Sequence, residues 1–300
     1  MAHHHDDQPR DFNRAFAIGV ALNTGFVILE VVFGLIAHSL ALIADAAHNL
    51  SDVLGLLLAW GAAWLSKRRT SKTRTYGFRR SSILAALVNA VVLLLVTGGV
   101  GWEAIQRLSD RREVAGATVI WVALAGVAVN GVTAALFFSG RGHDLNIRGA
   151  FLHMAADAGL SLGVALTGLV ILATDWRWLD PAASLVISAV ILIGTWELLR
   201  DSVNLALDAV PEGIDSRAVR AYLSGLPGVT EVHDLHIWAM STTETALTAH
   251  LVMPNGDGGD ALLARTCQEL HERFGIEHAT IQIEHGDPAH PCRLSPEGVV

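Results

Sequence analysis

Six long apolar stretches constrain the fold of this 300-residue chain more than any other feature of its sequence. A helix of about 20 mostly apolar residues is long enough to cross the hydrocarbon core of a bilayer. Composition agrees, because 17% of the residues are charged, whereas a soluble domain carries about 25%. The first stretch is not a signal peptide, since acidic residues precede it and five further stretches follow. The chain is therefore predicted to be an α-helical membrane protein with six transmembrane helices, at residues 15–37, 40–65, 81–104, 116–139, 148–173 and 178–199.

The Lys and Arg side chains of the short loops predict the orientation of these helices, because cytoplasmic loops carry an excess of them. Eleven flank one side, in the N-terminal segment and in the loops 66–80 and 140–148, and four flank the other. Both termini are therefore predicted to lie in the cytoplasm, with the chain crossing the lipid bilayer of the inner (plasma) membrane. The basic loop 66–80 either only sets this orientation or also contacts lipid headgroups or a regulator.

The sequence changes character after Arg200. The last 100 residues carry 15 acidic and 5 basic side chains, together with seven of the fourteen histidines. This acidic excess argues against nucleic acid as a partner and indicates cations. Turn signals and residue patterns predict an αββαβ order, which indicates a small α+β domain of the split βαβ type. The predicted elements are a helix over 211–228, strands over 229–240 and 243–253, a helix over 258–275 and a strand over 277–285.

Two of the apolar stretches contain the same pair of ionisable residues, which are costly at membrane depth and usually mark a functional site. His48 and Asp52 are four residues apart, so they lie on one face of a helix, one turn apart. His153 and Asp157 repeat this spacing on another helix. Two facing pairs offer two imidazole nitrogens and two carboxylates, a set suited to tetrahedral Zn²⁺ and balanced in charge. In the alternative interpretation each pair forms only a hydrogen bond within its own helix.

Other polar residues in the apolar stretches have weaker assignments. Asp45 lies three residues before His48 on the same face. We expect it to interact with the metal ligands or to relay protons rather than to bind metal itself. The remaining polar groups are expected to form hydrogen bonds between helices. They are Asn23, Glu30, Asn89, Glu103, Asn130 and Asp180.

These residues also carry a resemblance to a known family. Five motifs occur in the order typical of the cation diffusion facilitator family. From the N-terminus they are ADAAHNLSD around His48, TYGFRRSSILAALVNA, HMAAD around Asp157, LDPAASLVIS and VHDLHIW. The chain resembles its zinc-transporting branch over about residues 12–287. The resemblance implies a proton-coupled antiporter for divalent metal ions that works as a homodimer, with a six-helix membrane domain and a cytoplasmic ferredoxin-like domain. It also implies that the transport ligands are His48, Asp52, His153 and Asp157.

The resemblance further implies a metal site in the cytoplasmic domain, near the dimer contact. By motif, His233, His250, His285 and Asp287 match that site, and His271 is a plausible extra ligand. Cys292, beside His290, is expected to be a free thiol of the tail, with metal binding as the alternative. The loop 66–80 contains neither His nor Asp, so the additional metal site that some members carry there is not expected.

The predicted organisation therefore has four parts. The segment at residues 1–14 contains His3, His4 and His5, which form either a metal-gathering arm or the remnant of a tag. Residues 15–199 are the transport domain, 200–287 the metal-binding and dimerisation domain, and 288–300 a tail. Two cysteines are too few for a disulfide framework and fit a reducing compartment.

The predicted function is export of a divalent metal from the cytoplasm, most simply Zn²⁺, although Cd²⁺ and Co²⁺ use similar ligands. Zn²⁺ also serves as a regulatory ligand in this reading. A membrane metal sensor is the alternative, which accounts for the acidic domain but leaves the intramembrane pairs unused. An intramembrane metallohydrolase lacks the required HExxH motif, so the chain is not expected to be an enzyme.

Overall fold

The computed structural model describes residues 12–66, 68, 70–109, 112–138, 145–256 and 259–295, and all that follows concerns these residues. Six of its helices are long and apolar enough to span a membrane, as predicted. The predicted arm at His3, His4 and His5 lies outside the described residues. The six helices are α1 (Phe12–Ile36), α2 (Leu40–Ser66), α3 (Ser81–Arg107), α4 (Gly116–Phe138), α5 (Leu145–Thr174) and α6 (Leu179–Ala206).

Large apolar side chains cover the outside of these helices, which is the pattern that lipid rather than water requires. Trp60, Leu95 and Ile193 are each more than 70% exposed. The exposed surface is therefore consistent with contact with acyl chains.

The first of two compact units is formed by the described residues within 12–58 and 88–197, and it has its own apolar core. Phe26 of α1, Leu42 of α2 and Val164 of α5 are among its buried members. Gly126 of α4 allows the close approach of α1, because a Cβ atom there would lie 2.5 Å from the Phe26 ring. Small residues at helix contacts are the usual means of close packing in membranes.

The start of α2 is capped by a carboxylate from α6. Asp180 is buried and accepts hydrogen bonds from the Ser39 hydroxyl at 2.5 Å and from the Leu40 and Ala41 amides at 2.7 and 3.4 Å. These donors have no partner inside their own helix, and a negative charge there also suits the helix dipole. The hydrogen bond predicted between helices at Asp180 is therefore a cap that places the helix carrying His48.

The second compact unit comprises residues 59–87 and 198–300 and contains the α+β domain. Its three-stranded sheet has the order β1-β2-β3, with β1 and β2 antiparallel and β2 and β3 parallel. The αββαβ order is thus confirmed. The elements are α7 (Ser216–Ser224), β1 (Glu231–Ala239), β2 (Thr245–Val252), α8 (Asp260–Phe274) and β3 (His278–Glu284).

The first helix of this domain begins later than the predicted residue 211. The Asp215 side chain accepts hydrogen bonds from the amides of Arg217 and Ala218 and so caps α7 at its N-terminus. Gly213 precedes it with a positive φ of 90°, which keeps residues 211–214 out of the helix. One face of α7 and α8 packs on the sheet through buried residues including Val219, Leu223 and Leu270.

Candidate metal centres

The intramembrane pairs of α2 and α5 meet, and each histidine contacts a carboxylate of the other helix. His48 Nε2 lies 3.0 Å from Asp157 Oδ1, and His153 Nε2 lies 3.3 Å from Asp52 Oδ2. The separations within each helix are longer, 4.0 Å for His48 and Asp52 and 3.7 Å for His153 and Asp157. The interpretation in which each pair bonds only within its own helix therefore does not describe this geometry.

These separations are close to those in a tetrahedral zinc site. With bonds of about 2.0–2.1 Å, neighbouring ligand atoms in such a site lie roughly 3.3 Å apart. His48, Asp52 and Asp157 place one ligand atom each within 4.8 Å of the others. His153 is outside this tightest group, with its ring centroid 6.2 Å from that of His48. His153 Nε2 nevertheless lies 3.3 Å from Asp52 Oδ2 and 3.7 Å from Asp157 Oδ2, so it is next to both carboxylates of the group.

A second layer of polar side chains lies beside this site. Asp45 is buried and is not a member of the ligand group. It accepts a hydrogen bond from the Ser161 hydroxyl of α5 at 3.1 Å. Glu30 of α1 is also buried and accepts a hydrogen bond from the Asn49 side chain at 3.0 Å.

The cytoplasmic domain contains a second cluster of metal-binding side chains. His233 of β1 and His250 of β2 are directly opposite each other in the antiparallel register. Glu284 of β3 pairs with Val252, two residues along from His250, and therefore lies on the same face. Its oxygens are 3.3 Å from His233 Nε2 and 3.0 Å from His250 Nδ1. Cys292 completes the group, with its sulfur 3.6 Å from His250 Nδ1.

The predicted cytoplasmic ligands are thus brought together only in part. His233 and His250 are in the cluster, whereas His271, His285 and Asp287 do not belong to it. His271 is exposed on α8. Asp287 instead bonds to His290 at 2.9 Å, and this bond, with one from the Ala289 amide, lowers the pKa of its carboxyl group. Cys292, expected to be a free thiol in the tail, is a free cysteine whose side chain lies against His250.

The residues of this cluster fit a metal ion. His233 is only 7% exposed, and neither of its ring nitrogens makes a hydrogen bond within the described residues. Asp234, at a bulge in β1, lies 3.4 Å from His250 Nε2. A carboxylate in that position fixes the tautomer that leaves Nδ1 free to bind metal. Two nitrogens, one oxygen and one sulfur form a donor set that suits Zn²⁺.

Comparison with known proteins identifies the chain. Residues 16–205 match the family model of the cation efflux transmembrane domain, and residues 211–286 match that of the cation efflux protein cytoplasmic domain. The chain belongs to the cation efflux family. It is therefore a multi-pass membrane transporter with a cytoplasmic domain, rather than an enzyme.

Several members of the family are similar over nearly the whole chain. The metal cation efflux system protein CzcD of Cupriavidus metallidurans is 37% identical, over 94% of this chain and 90% of its own. The zinc transporter ZitB of Escherichia coli is 38% identical, over 100% and 97%. The cadmium, cobalt and zinc/H(+)-K(+) antiporter of Bacillus subtilis is 33% identical, over 95% and 92%.

One solved structure is similar to the end of the chain. It is the metal-bound C-terminal domain of the CzcD transporter from Cupriavidus metallidurans, 36% identical, covering 24% of this chain and 99% of that one, with a TM-score of 0.23.

Proposed function

We propose that this chain exports Zn²⁺ from the cytoplasm in exchange for protons, with His48, Asp52, His153 and Asp157 as the transport ligands. The observation that carries the proposal is the meeting of two His–Asp pairs from α2 and α5, with each histidine against a carboxylate of the opposite helix. Cd²⁺ and Co²⁺ are further substrates that this ligand set accepts. The names of the cadmium, cobalt and zinc antiporter and of ZitB support this substrate class.

Proton exchange follows from the chemistry of the ligands. Histidine binds Zn²⁺ only in its neutral form, so metal and protons compete for the same nitrogens. With Zn²⁺ present, two carboxylates balance its charge. After the metal has left, protonated histidines balance the same carboxylates, as the ion pairs between His48 and Asp157 and between His153 and Asp52 allow. A site that opens alternately to either face then moves metal outward as protons enter.

The cytoplasmic cluster is proposed as a regulatory zinc site. His233, His250, Glu284 and Cys292 are its ligands in this proposal, in place of His271, His285 and Asp287. The chain is further proposed to act as a homodimer in the inner membrane with both termini in the cytoplasm. The dimer is supported by the match of residues 211–286 to the cytoplasmic domain of this family.

Uptake of zinc by proteoliposomes with an imposed pH gradient tests the transport function. Inverted reconstitution, with the cytoplasmic face outward, is expected to give zinc uptake that depends on an acidic interior. Uptake that is independent of the gradient would contradict proton exchange. No uptake at all, with zinc binding to the cytoplasmic domain intact, would favour the alternative of a metal sensor.

A further inference from the structure

Two buried carboxyl groups outside the ligand set lie next to each other beside the transport site. Glu30 on α1 is 0% exposed and Asp45 on α2 is 1% exposed. Asn49, which donates a hydrogen bond to Glu30, lies four residues after Asp45 on the same face of α2, so the two carboxyl groups are neighbours. Each has one oxygen occupied by a neutral donor, since Asn49 donates to Glu30 and Ser161 donates to Asp45.

The other two oxygens, Glu30 Oε1 and Asp45 Oδ1, are buried with no hydrogen-bond donor among the described residues. Carboxylates are acceptors only, so a contact between two of them is favourable only when one carries a proton. Two ionised carboxylates in mutual contact and shielded from water repel strongly, and such pairs hold one proton between them. A protonated carboxyl group, with its O–H, would supply the donor that this network lacks.

The charged groups around the pair connect it electrically to the transport site. Asp45 lies three residues before His48 on one face of α2, and its hydrogen-bond donor Ser161 lies four residues after Asp157 on α5. Of the neighbouring helices, α1 contributes Glu30 itself to the pair. Helix α4 adds no charge, because it has no ionisable residue in its sequence. Neither carboxyl group is in the cluster of ligand atoms. A cation at the ligands therefore acts on the pair through space, without a bond to it.

We propose that Glu30 and Asp45 form a second proton-binding site of the transporter, which holds one shared proton while the transport site is free of metal and releases it when Zn²⁺ binds. The inference rests on the proposed zinc transport function. The two positive charges of the metal favour the ionised pair, so the proton leaves as the metal enters. Its release adds to that from the histidines and enlarges the number of protons exchanged per metal ion.

The number of protons released per Zn²⁺ bound tests this proposal. It is measured on the full-length protein in detergent, by calorimetry in buffers of different ionisation enthalpy, with the cytoplasmic cluster inactivated by His250→Ala in every variant. The slope of the logarithm of zinc affinity against pH gives the same number independently. Glu30→Gln retains an acceptor for Asn49 but cannot share an acidic proton. We expect it to bind Zn²⁺ and to release about one proton fewer per metal ion, because the pair holds a single proton.

Two further variants make the test specific. Asp45→Asn is expected to show the same reduction, and the double variant no additional one, because one proton is shared between the two residues. Glu103→Gln is the matched control, since Glu103 lies in α3 and bonds to Arg107 of the same helix, and it is expected to release as many protons as the parent.

Each other outcome overturns the proposal. An unchanged proton number in Glu30→Gln and Asp45→Asn would show that the pair does not release its proton. Additive reductions would show two independent groups. Folded variants that no longer bind Zn²⁺ would assign the pair to the support of the site. Failure of the parent to bind Zn²⁺ at the transport site would instead contradict the proposed function.

Discussion

Asp157 is the residue on which metal binding at the proposed transport site is expected to depend most. It is 2% exposed, and its two oxygens face different histidines, Oδ1 towards His48 and Oδ2 towards His153. A single carboxylate therefore connects the helix that carries His48 to the helix that carries His153. Its removal takes away a metal ligand and also the negative charge that stabilises a protonated histidine.

Asp157→Ala is accordingly expected to lower zinc affinity by more than roughly 100-fold, which exceeds the usual effect of residues that only support a ligand. Zinc flux in proteoliposomes should fall to background. Asp175→Ala is the control, because Asp175 is exposed and bonds to Arg177 outside the helices. Near-normal flux in Asp157→Ala would contradict the four-ligand site.

His48 is the residue at which metal selectivity is expected to be set. His48→Asp replaces a nitrogen ligand by a harder, charged oxygen and gives the site three carboxylates. Discrimination against larger or harder ions such as Cd²⁺ and Mn²⁺ should therefore relax. Flux of each metal relative to that of zinc in the same preparation measures this. An unchanged profile would place selectivity in other residues.

At the scale of elements, the two metal centres differ in how far sequence alone predicts them. The proposed transport ligands are predicted from helix geometry, because a spacing of four residues places His48 above Asp52 in any helix. The proposed cytoplasmic ligands depend on which strands pair. Glu284 joins His250 only through the parallel register of β3 with β2, and Cys292 only through the path of the chain after β3. The local sequence motif therefore predicts His285 and Asp287 as ligands and gives no indication of Glu284.

The position of α2 also depends on a contact between distant parts of the chain, which a local sequence pattern does not predict. The sequence predicts an apolar helix from residue 40, but the carboxylate that caps it lies on α6, about 140 residues further along the chain. Asp180→Ala leaves the Ser39 hydroxyl and two amides without their acceptor and should destabilise the protein by about 2–3 kcal/mol. Asp180→Asn retains an acceptor and should cost less than half as much. Thermal unfolding in detergent measures both, and equal melting temperatures for all three proteins would contradict the cap.

At the scale of the whole molecule, the charge of the chain is divided unevenly. The last 100 residues have ten more acidic than basic side chains. In the proposed homodimer two such domains repel each other, and the repulsion is weakened by bound divalent cations. Zinc at His233, His250, Glu284 and Cys292 would therefore favour domains that lie closer together. The resulting bias towards export cannot exceed the difference in zinc affinity between the two arrangements.

Variants of the cytoplasmic cluster test whether cytosolic zinc promotes its own export in this way. His250→Ala combined with Glu284→Gln removes two ligands that contact each other at 3.0 Å. We expect this variant to need a higher zinc concentration for half-maximal flux, while the affinity of the transport site is unchanged. His285→Ala combined with Asp287→Asn alters two residues that lie outside the cluster, and this matched pair should transport as the parent does. If instead the His285 and Asp287 variant needed more zinc and the His250 and Glu284 variant transported as the parent does, the ligands would be those that the sequence motif indicates. If neither variant changed the zinc concentration for half-maximal flux, the cytoplasmic site would not regulate transport.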